Sequence, residues 1–555
     1  MDILKTGKDI RRLNEIVNIL IKYGFGDMIR RIGLAESIEK AGKLVRYQIS
    51  ADFMSMEPPE RMRHAMEEMG PTFIKLGQIL ATRVDLFAPD WIRELEKMQD
   101  SNTALPFSVI QALVENSIGK PTSEAFHHID EKPLGTASMA QVHRAVTLNG
   151  EEVVLKVRKP NIREKIEADL RLLHYLASIA QSQSQELRRY RPIEIVREFE
   201  KSLLRELDFS IESKNAERIA ESLKHIPYVK IPKVYWEWTG EDMNVQEFVR
   251  GISAKNTKEL EAAGLDRQLL ATRGAKIVWQ TMLVDGFFHA DPHPGNFLIL
   301  PRNRIAMLDF GMVGKLSVGR REQLMKLTRS IVLQDTTAVA AVMLEWSDGN
   351  ADFDTIHGEA EDFISRYYGV PLSKINIQQV IADATDILRT FNITLPSDIA
   401  MFSKACLTLE GFGRLLNPNF DLMKEAEPLI KQWGKDYYNP VTLAKRLTTR
   451  ALNIVDKIYE EPKPPIVTQK SAGNANGLDR PTVERLVKHH ELLRYRQTNV
   501  FACGCLVVAF AMLCLAEKGP QLLGFSVIGL LGFLGSVGAL YWQLFLMWWS
   551  HRNGE

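Results

Sequence analysis

The stretch HADPHPGNFLILPRNRIAMLDFG, residues 289–311, sets two histidines, two aspartates and two asparagines around an apolar run. Asp291, Asn296 and Asp309 offer hard oxygen ligands, which suit magnesium. His289 and His293 flank Asp291, but no third nitrogen or sulfur ligand stands at convincing spacing. A histidine metal site is therefore not expected, and His289 reads as structural. Which chemistry needs this order depends on what lies upstream.

From Gly135 the chain takes on β character. SMAQVHRAVTLNGEEVVLKVR, residues 138–158, places two β-rich runs on either side of Asn149-Gly150. That dipeptide predicts a tight hairpin with both central residues at positive φ. Lys156 falls in the second strand, and His143 reads as a packed strand residue. Two helical runs, ADLRLLHYLASIA and IEIVREFEKSLLRELDFSIESKNAERIAESL, follow, then MNVQEFVRG as a short strand. Beyond it the chain is mostly helical through Leu416. A strand lysine, a helix rich in glutamate, D-x-x-x-x-N and then D-F-G together describe the phosphotransfer site of a protein kinase. In that reading Lys156 contacts the α- and β-phosphates, Asp291 is the catalytic carboxylate, and Asn296 and Asp309 hold Mg²⁺. ATP is the nucleotide, and its adenine meets the backbone near Glu247, Phe248 and Val249, the segment joining the two lobes.

An ordinary kinase covers the phosphates with G-x-G-x-x-G, whereas this loop reads Gly135-Thr136-Ala137-Ser138-Met139-Ala140. GPTFIKLGQILATRVDLFAPDW (70–91), ELDFSIESKNA (206–216), HADPHPGN (289–296) and KACLTLEGFGRLLNP (404–418) resemble the UbiB family of atypical kinase-like proteins, over about Tyr23 to Asp421. The resemblance implies a K-x-G-Q motif at Lys75, Gly77 and Gln78, an E-x-D motif at Glu206 and Asp208, and an alanine-rich phosphate loop. This chain departs from that loop at Gly135 and Thr136, where alanine or serine is more typical. The resemblance also implies that Glu212 partners Lys156 while Glu206 pairs with Lys75, a regulatory gate across the cleft. Six residues of continuous helix turn through about 600°. That would put Glu206 and Glu212 on different faces, with Asp208 and Glu212 sharing one.

The remaining sequence bounds the organisation. Lys and Arg total 70 against 69 Asp and Glu, so no nucleic-acid partner is expected. Of four cysteines, three lie in one apolar C-terminal segment, without disulfide or zinc spacing. The charged N-terminus lacks the apolar core of a secretory signal, which favours the reducing compartment of synthesis. Ile10, Leu13, Ile16, Val17, Leu20 and Ile21 form an apolar helical stripe expected to pack on the protein itself. Residues 460–481 are rich in Pro, Gly and Asn and read as a linker. The uncharged runs 500–516 and 521–549, separated by EKGP, predict a transmembrane helical hairpin. Arg485, Lys488, Arg494 and Arg496 before it, and His551 and Arg552 after it, orient both ends toward the cytoplasm. Gly532 with Ser536, and Gly535 with Ala539, would allow close packing within the hairpin or between chains in a homodimer.

The fold expectation is α+β: a two-lobed protein-kinase-like fold with an N-terminal helical extension and a C-terminal transmembrane helical hairpin. The divisions are 1–110 (extension), 111–250 (small lobe), 251–459 (helical large lobe), 460–498 (linker and basic juxtamembrane helix) and 499–549 (hairpin). The resemblance implies a membrane-associated Mg-ATP-binding ATPase supporting biosynthesis or handling of isoprenoid quinones such as ubiquinone. Its partners would be membrane lipid and a quinone precursor or quinone-biosynthesis enzymes. Its place would be the inner (cytoplasmic) membrane, with the kinase-like domain on the cytoplasmic side. Transfer to a hydroxyl, as a protein or small-molecule kinase, stays open as the alternative. A nucleotide-dependent scaffold without catalysis is disfavoured, since Lys156, Asp291, Asn296 and Asp309 are all present.

Overall fold

The computed structural model describes residues 7–437 except 32–54, 82, 84–85, 99–103, 184–187, 189–190, 334, 347–351, 368–376 and 392–394, and a few residues between 521 and 542. The chain divides into two compact units, Met1–Lys435 and Asp436–Glu555. In the second, the described strands are a short antiparallel pair, Gln521–Leu522 with Phe525–Ser526. The linker and nearly all of the expected transmembrane hairpin lie outside the described residues. No helix among the described residues is long and apolar enough to cross a membrane.

Strands β1 (Phe126–Ile129), β2 (Gly135–Thr136), β3 (Ala140–Thr147) and β4 (Glu152–Arg158) open the first unit's β structure. After β5 (Val229–Lys230) and β6 (Met243–Glu247), the first sheet is complete in the order β1-β3-β4-β6, with β2 paired to β3. Burial alternates along β4, so Val153, Leu155 and Val157 face a core shared with Ile110 and Val114 of the helix Phe107–Ile118. The two-residue period then puts Lys156 on the opposite face. The turn between β3 and β4 differs from expectation. Asn149 is not among the residues at positive φ, and only Gly150 is, at 80°. Three residues, Leu148 to Gly150, make the connection, and Thr147 exchanges backbone bonds of 2.9 Å with Gly150 and Glu151. A three-residue loop needs a left-handed residue only at its last position.

Past β6 the chain crosses to a second sheet through residues 248–251. There β7 (Ile252–Ser253) begins an order β5-β10-β9-β7, with β9 (Phe297–Leu300) and β10 (Arg304–Met307) antiparallel. Between them β8 (Phe287–His289) pairs with β11 (Val313–Lys315). Helices Arg267–Trp279 and Ser397–Leu416 pack against these strands in the largest core, where the Phe297 and Phe412 rings stack at 4.8 Å.

The N-terminal helices build a separate core. Leu13, Ile16 and Val17 of Gly7–Lys22 are buried while Ile10 is 44% exposed, so the apolar stripe packs against the protein. This core draws on Pro71–Leu80, on Ile162–Gln183 and Pro192–Glu206, and on Met139 from the loop between β2 and β3. Asp169, fully buried on Ile162–Gln183, fastens it. It accepts from Arg12 Nε at 2.7 Å and from Thr72 Oγ1 at 2.6 Å.

Candidate active site

Lys156 extends from β4 under the Phe209 ring, 5.2 Å from its centroid, and Nζ donates to both Glu212 oxygens at 2.9 and 2.7 Å. Glu212 is buried on the helix Phe209–Leu223. Asp309 Oδ1 lies 4.0 Å from the same ammonium. Burial works to lower the Lys156 pKa, but Glu212 and Asp309 hold it above its ordinary value. Lys156 in turn holds the Asp309 carboxyl well below the usual carboxylate range, with help from the Gly311 N–H.

The continuous helix expected across Glu206, Asp208 and Glu212 is broken. Pro192–Glu206 ends at Glu206, and Asp208 is the N-cap of the next helix, accepting from Ser210 N at 2.9 Å. Asp208 therefore does not share a helix face with Glu212, and the two glutamates are separated by a helix break. A capping carboxylate satisfies an otherwise unpaired helix N–H, and here it fixes the entry of the helix that carries Glu212. Glu206 meets Lys75 Nζ at 2.5 Å, with the side chains 34% and 19% exposed. Lys75 contributes to lowering the Asp309 carboxyl, and Glu206 to raising Lys156, so the two pairs share one electrostatic cluster. Gly77 lets its helix approach Met98. A Cβ there would sit 2.2 Å from Met98 Sδ. Gln78 is half-buried on the same helix.

Across the cleft, β9 and β10 set Phe297 opposite Met307, and Leu308 N donates to Asn296 O at 2.8 Å. That register brings the Asp291–Asn296 segment beside Asp309. The Asn296 amide nitrogen donates to the Asp291 backbone carbonyl at 3.1 Å and lies 3.3 Å from His289 Nε2. His289 Nδ1 in turn faces both the Met312 carbonyl and the Asp291 N–H, each at 3.3 Å. Burial lowers the His289 pKa, in keeping with a neutral ring. His289 thus serves as a structural bridge. Among the described residues the Asn296 side chain bonds through its nitrogen, which leaves Oδ1 as the amide's acceptor. Asp309 adds a second hard oxygen, its carboxylate 53% exposed, from a backbone at φ 52°. Strain of that kind persists where surrounding structure holds it and concentrates at functional sites. Two hard oxygens fit a magnesium ion that takes its other ligands from phosphate and water. Among the described residues, no group of three or more His, Cys, Asp or Glu could hold a metal.

Gly135 and Thr136 pair with Val142 and Gln141, and Ala137 N donates to Ala140 O at 2.9 Å. The loop is a tight reverse turn, with Ser138 2% and Met139 4% exposed. Gly135, Thr136 and Ala137 therefore form its accessible edge. At the crossing between sheets, the N–H groups of Glu247 and Phe248 are spent on Lys233 O at 2.8 Å and Glu152 O at 3.0 Å. The Val249 N–H has no backbone partner among the described residues, so it is the donor this segment can offer an adenine.

The ABC1 atypical kinase-like domain family matches residues 97–343, and the UbiB helical domain family matches residues 360–421. "Probable protein kinase UbiB" from Glaesserella parasuis is 33% identical over 467 residues, covering 82% of this chain and 85% of that protein. The proteins of the same name from Sodalis glossinidius and Vibrio cholerae are each 31% identical, covering 92% and 95% of this chain and 95% and 98% of theirs. This chain belongs to the UbiB family. Its kinase-like domain implies ATP and a divalent metal in general, and its fold is mixed α and β with many helices.

Two residues of this UbiB-family site are not apparent from the sequence. Asn215, inside the ELDFSIESKNA stretch, donates to the Phe310 carbonyl at 3.1 Å across 95 residues. Lys404, inside KACLTLEGFGRLLNP, reaches 3.7 Å from Asp291 Oδ2 and 3.9 Å from Met312 Sδ. Neither pairing has a local periodicity that would reveal it.

Proposed function

We propose that this protein is a membrane-anchored Mg-ATP-binding ATPase that supports the biosynthesis or handling of isoprenoid quinones such as ubiquinone. The observation that carries the reading is the cluster in which Lys156, held by Glu212, stands 4.0 Å from Asp309. A fixed ammonium beside a carboxylate kept ionised is what polyphosphate and magnesium binding require. In this reading Lys156 neutralises the α- and β-phosphates, Asn296 Oδ1 and Asp309 hold the metal, and Asp291 orients the attacking oxygen. Magnesium, when bound, supplies charge neutralisation on the leaving and transferring phosphates.

The Lys75–Glu206 pair favours hydrolysis over transfer to a large acceptor. It fastens the helical extension beside the phosphates, where a protein substrate would need room. The kinase alternative is supported by Asp291, whose carboxylate is 31% exposed, and by the names of the relatives. Membrane anchorage on the cytoplasmic side rests on the uncharged runs 500–516 and 521–549 and their basic flanks. Lipid, a quinone precursor and quinone-biosynthesis enzymes are the corresponding partners.

The test is the purified chain in liposomes with γ-labelled ATP, with and without a quinone-like phenol. Label released as free phosphate supports the ATPase. Label on protein or on the phenol makes it a kinase. Magnesium-independent binding with no turnover would reduce it to a scaffold.

A further inference from the structure

Most carboxylates of the nucleotide site described above are neutralised from the kinase-like domain at 97–343 or from the N-terminal extension. Glu212 and Asp309 face Lys156, and Glu206 faces Lys75. Asp291 is the exception. Its ion pair comes from Lys404, which lies on Ser397–Leu416, inside the helical domain at 360–421. That helix is held in place by Phe412, whose ring stacks on Phe297, the residue after Asn296. The ammonium is thereby positioned against both Asp291 and the metal side of the cleft.

The contacts of Lys404 are loose. Asp291 Oδ2 at 3.7 Å is beyond hydrogen-bond length, and Met312 Sδ at 3.9 Å is a weak acceptor. The side chain is 23% exposed, and neither of these contacts saturates the three donors of the ammonium. His293, two residues after Asp291, turns its Nδ1 to the Gly295 N–H at 2.9 Å. A terminal phosphate arriving beside Asp291 would meet a carboxylate and need a cation with unspent donors.

We propose that Lys404 binds the terminal phosphate of a bound nucleoside triphosphate, so that the helical domain completes the phosphotransfer site. This rests on the nucleotide-binding function proposed above. Lys404 thereby reads the difference between triphosphate and diphosphate, which Lys156 does not.

The test is calorimetric titration of the full-length protein in nanodiscs with Mg-ADP and with a non-hydrolysable Mg-ATP analogue. It compares wild type, Lys404→Met and Lys404→Arg. Methionine keeps the chain length and the contact with Met312. The expected result is that Lys404→Met binds the triphosphate analogue about tenfold more weakly, with ADP affinity changed less than about twofold, and that Lys404→Arg restores most of the loss. Because both nucleotides are titrated into one sample, the affinity ratio is independent of the folded fraction. An unchanged ratio in Lys404→Met, while wild type binds both nucleotides, overturns the assignment of Lys404 and leaves the nucleotide site standing. Wild type that binds neither nucleotide overturns both.

Discussion

The Asn215 side-chain amide donates a hydrogen bond of 3.1 Å to the backbone carbonyl of Phe310. Asn215 stands three residues beyond Glu212 on the same helix, and Phe310 follows Asp309. One tether therefore fixes the distance between the partner of Lys156 and the carboxylate that faces it. Replacing Asn215 by Leu should cost about 0.5–1.5 kcal/mol of that coupling. The expected outcome is Mg-nucleotide affinity about 3- to 10-fold lower, with a smaller loss when magnesium is omitted. Equal losses with and without the metal would show that the tether does not govern Asp309.

Asp309 makes the site sensitive to acid. Its folded pKa lies below the ordinary carboxylate value, chiefly because of Lys156. The contribution to stability is therefore fully present above the unfolded pKa and is lost as pH falls through the folded one. Asp309→Asn should be less stable than wild type at neutral pH, and the gap should narrow on acidification. Asparagine tolerates the left-handed backbone at this position, so the comparison adds no strain. Denaturant midpoints of both proteins across the acidic range check this. A gap that widens as pH falls would contradict it.

Lys75 and Glu206 are half-buried, so their pair falls between the exposed and the buried cases. A double-variant cycle on Lys75→Ala and Glu206→Ala should give a coupling of about 1 kcal/mol in stability. Nucleotide turnover in Lys75→Ala should also change per folded molecule if the extension gates the cleft. Unchanged turnover with lowered melting temperature would leave Lys75 as a fastening only.

Gly77 serves close packing. In Gly77→Ala the new methyl would meet Met98 Sδ at 2.2 Å and Cε at 2.6 Å. The thioether is the far end of a flexible chain and can yield, so the expected cost is about 1 kcal/mol, at the low end for overpacking. Thermal melts of Gly77→Ala with and without Met98→Ala test this, because shortening Met98 should recover much of the loss.

That Lys156 comes to stand beside Asp309, and Asn296 beside Asp291, was legible from the order of strand lysine, D-x-x-x-x-N and D-F-G along the chain. The hairpin was legible from Asn149-Gly150, though the positive φ falls on Gly150 alone. The break at Leu207 was missed because apolar periodicity runs through it. The available signal was Asp208 itself, an N-cap residue before Phe-Ser-Ile-Glu. Asn215 and Lys404 were illegible for a different reason. Their contacts, Asn215 with Phe310 across 95 residues and Lys404 with Met312 across 92, arise from packing of whole helices on strands.

Met139, on the loop between β2 and β3, is buried in the core of the N-terminal helices, and Lys159 N donates to its carbonyl at 2.8 Å. A loop plugged into another element's interior cannot be displaced without disturbing that element. In the proposed function, nucleotide held beneath the loop and seating of the extension would therefore be coupled. Whatever binds preferentially to the seated form and raises affinity for nucleotide must itself be bound more tightly, by the same factor, when nucleotide is present. Anything that levers the extension away pulls the loop with it and lowers both.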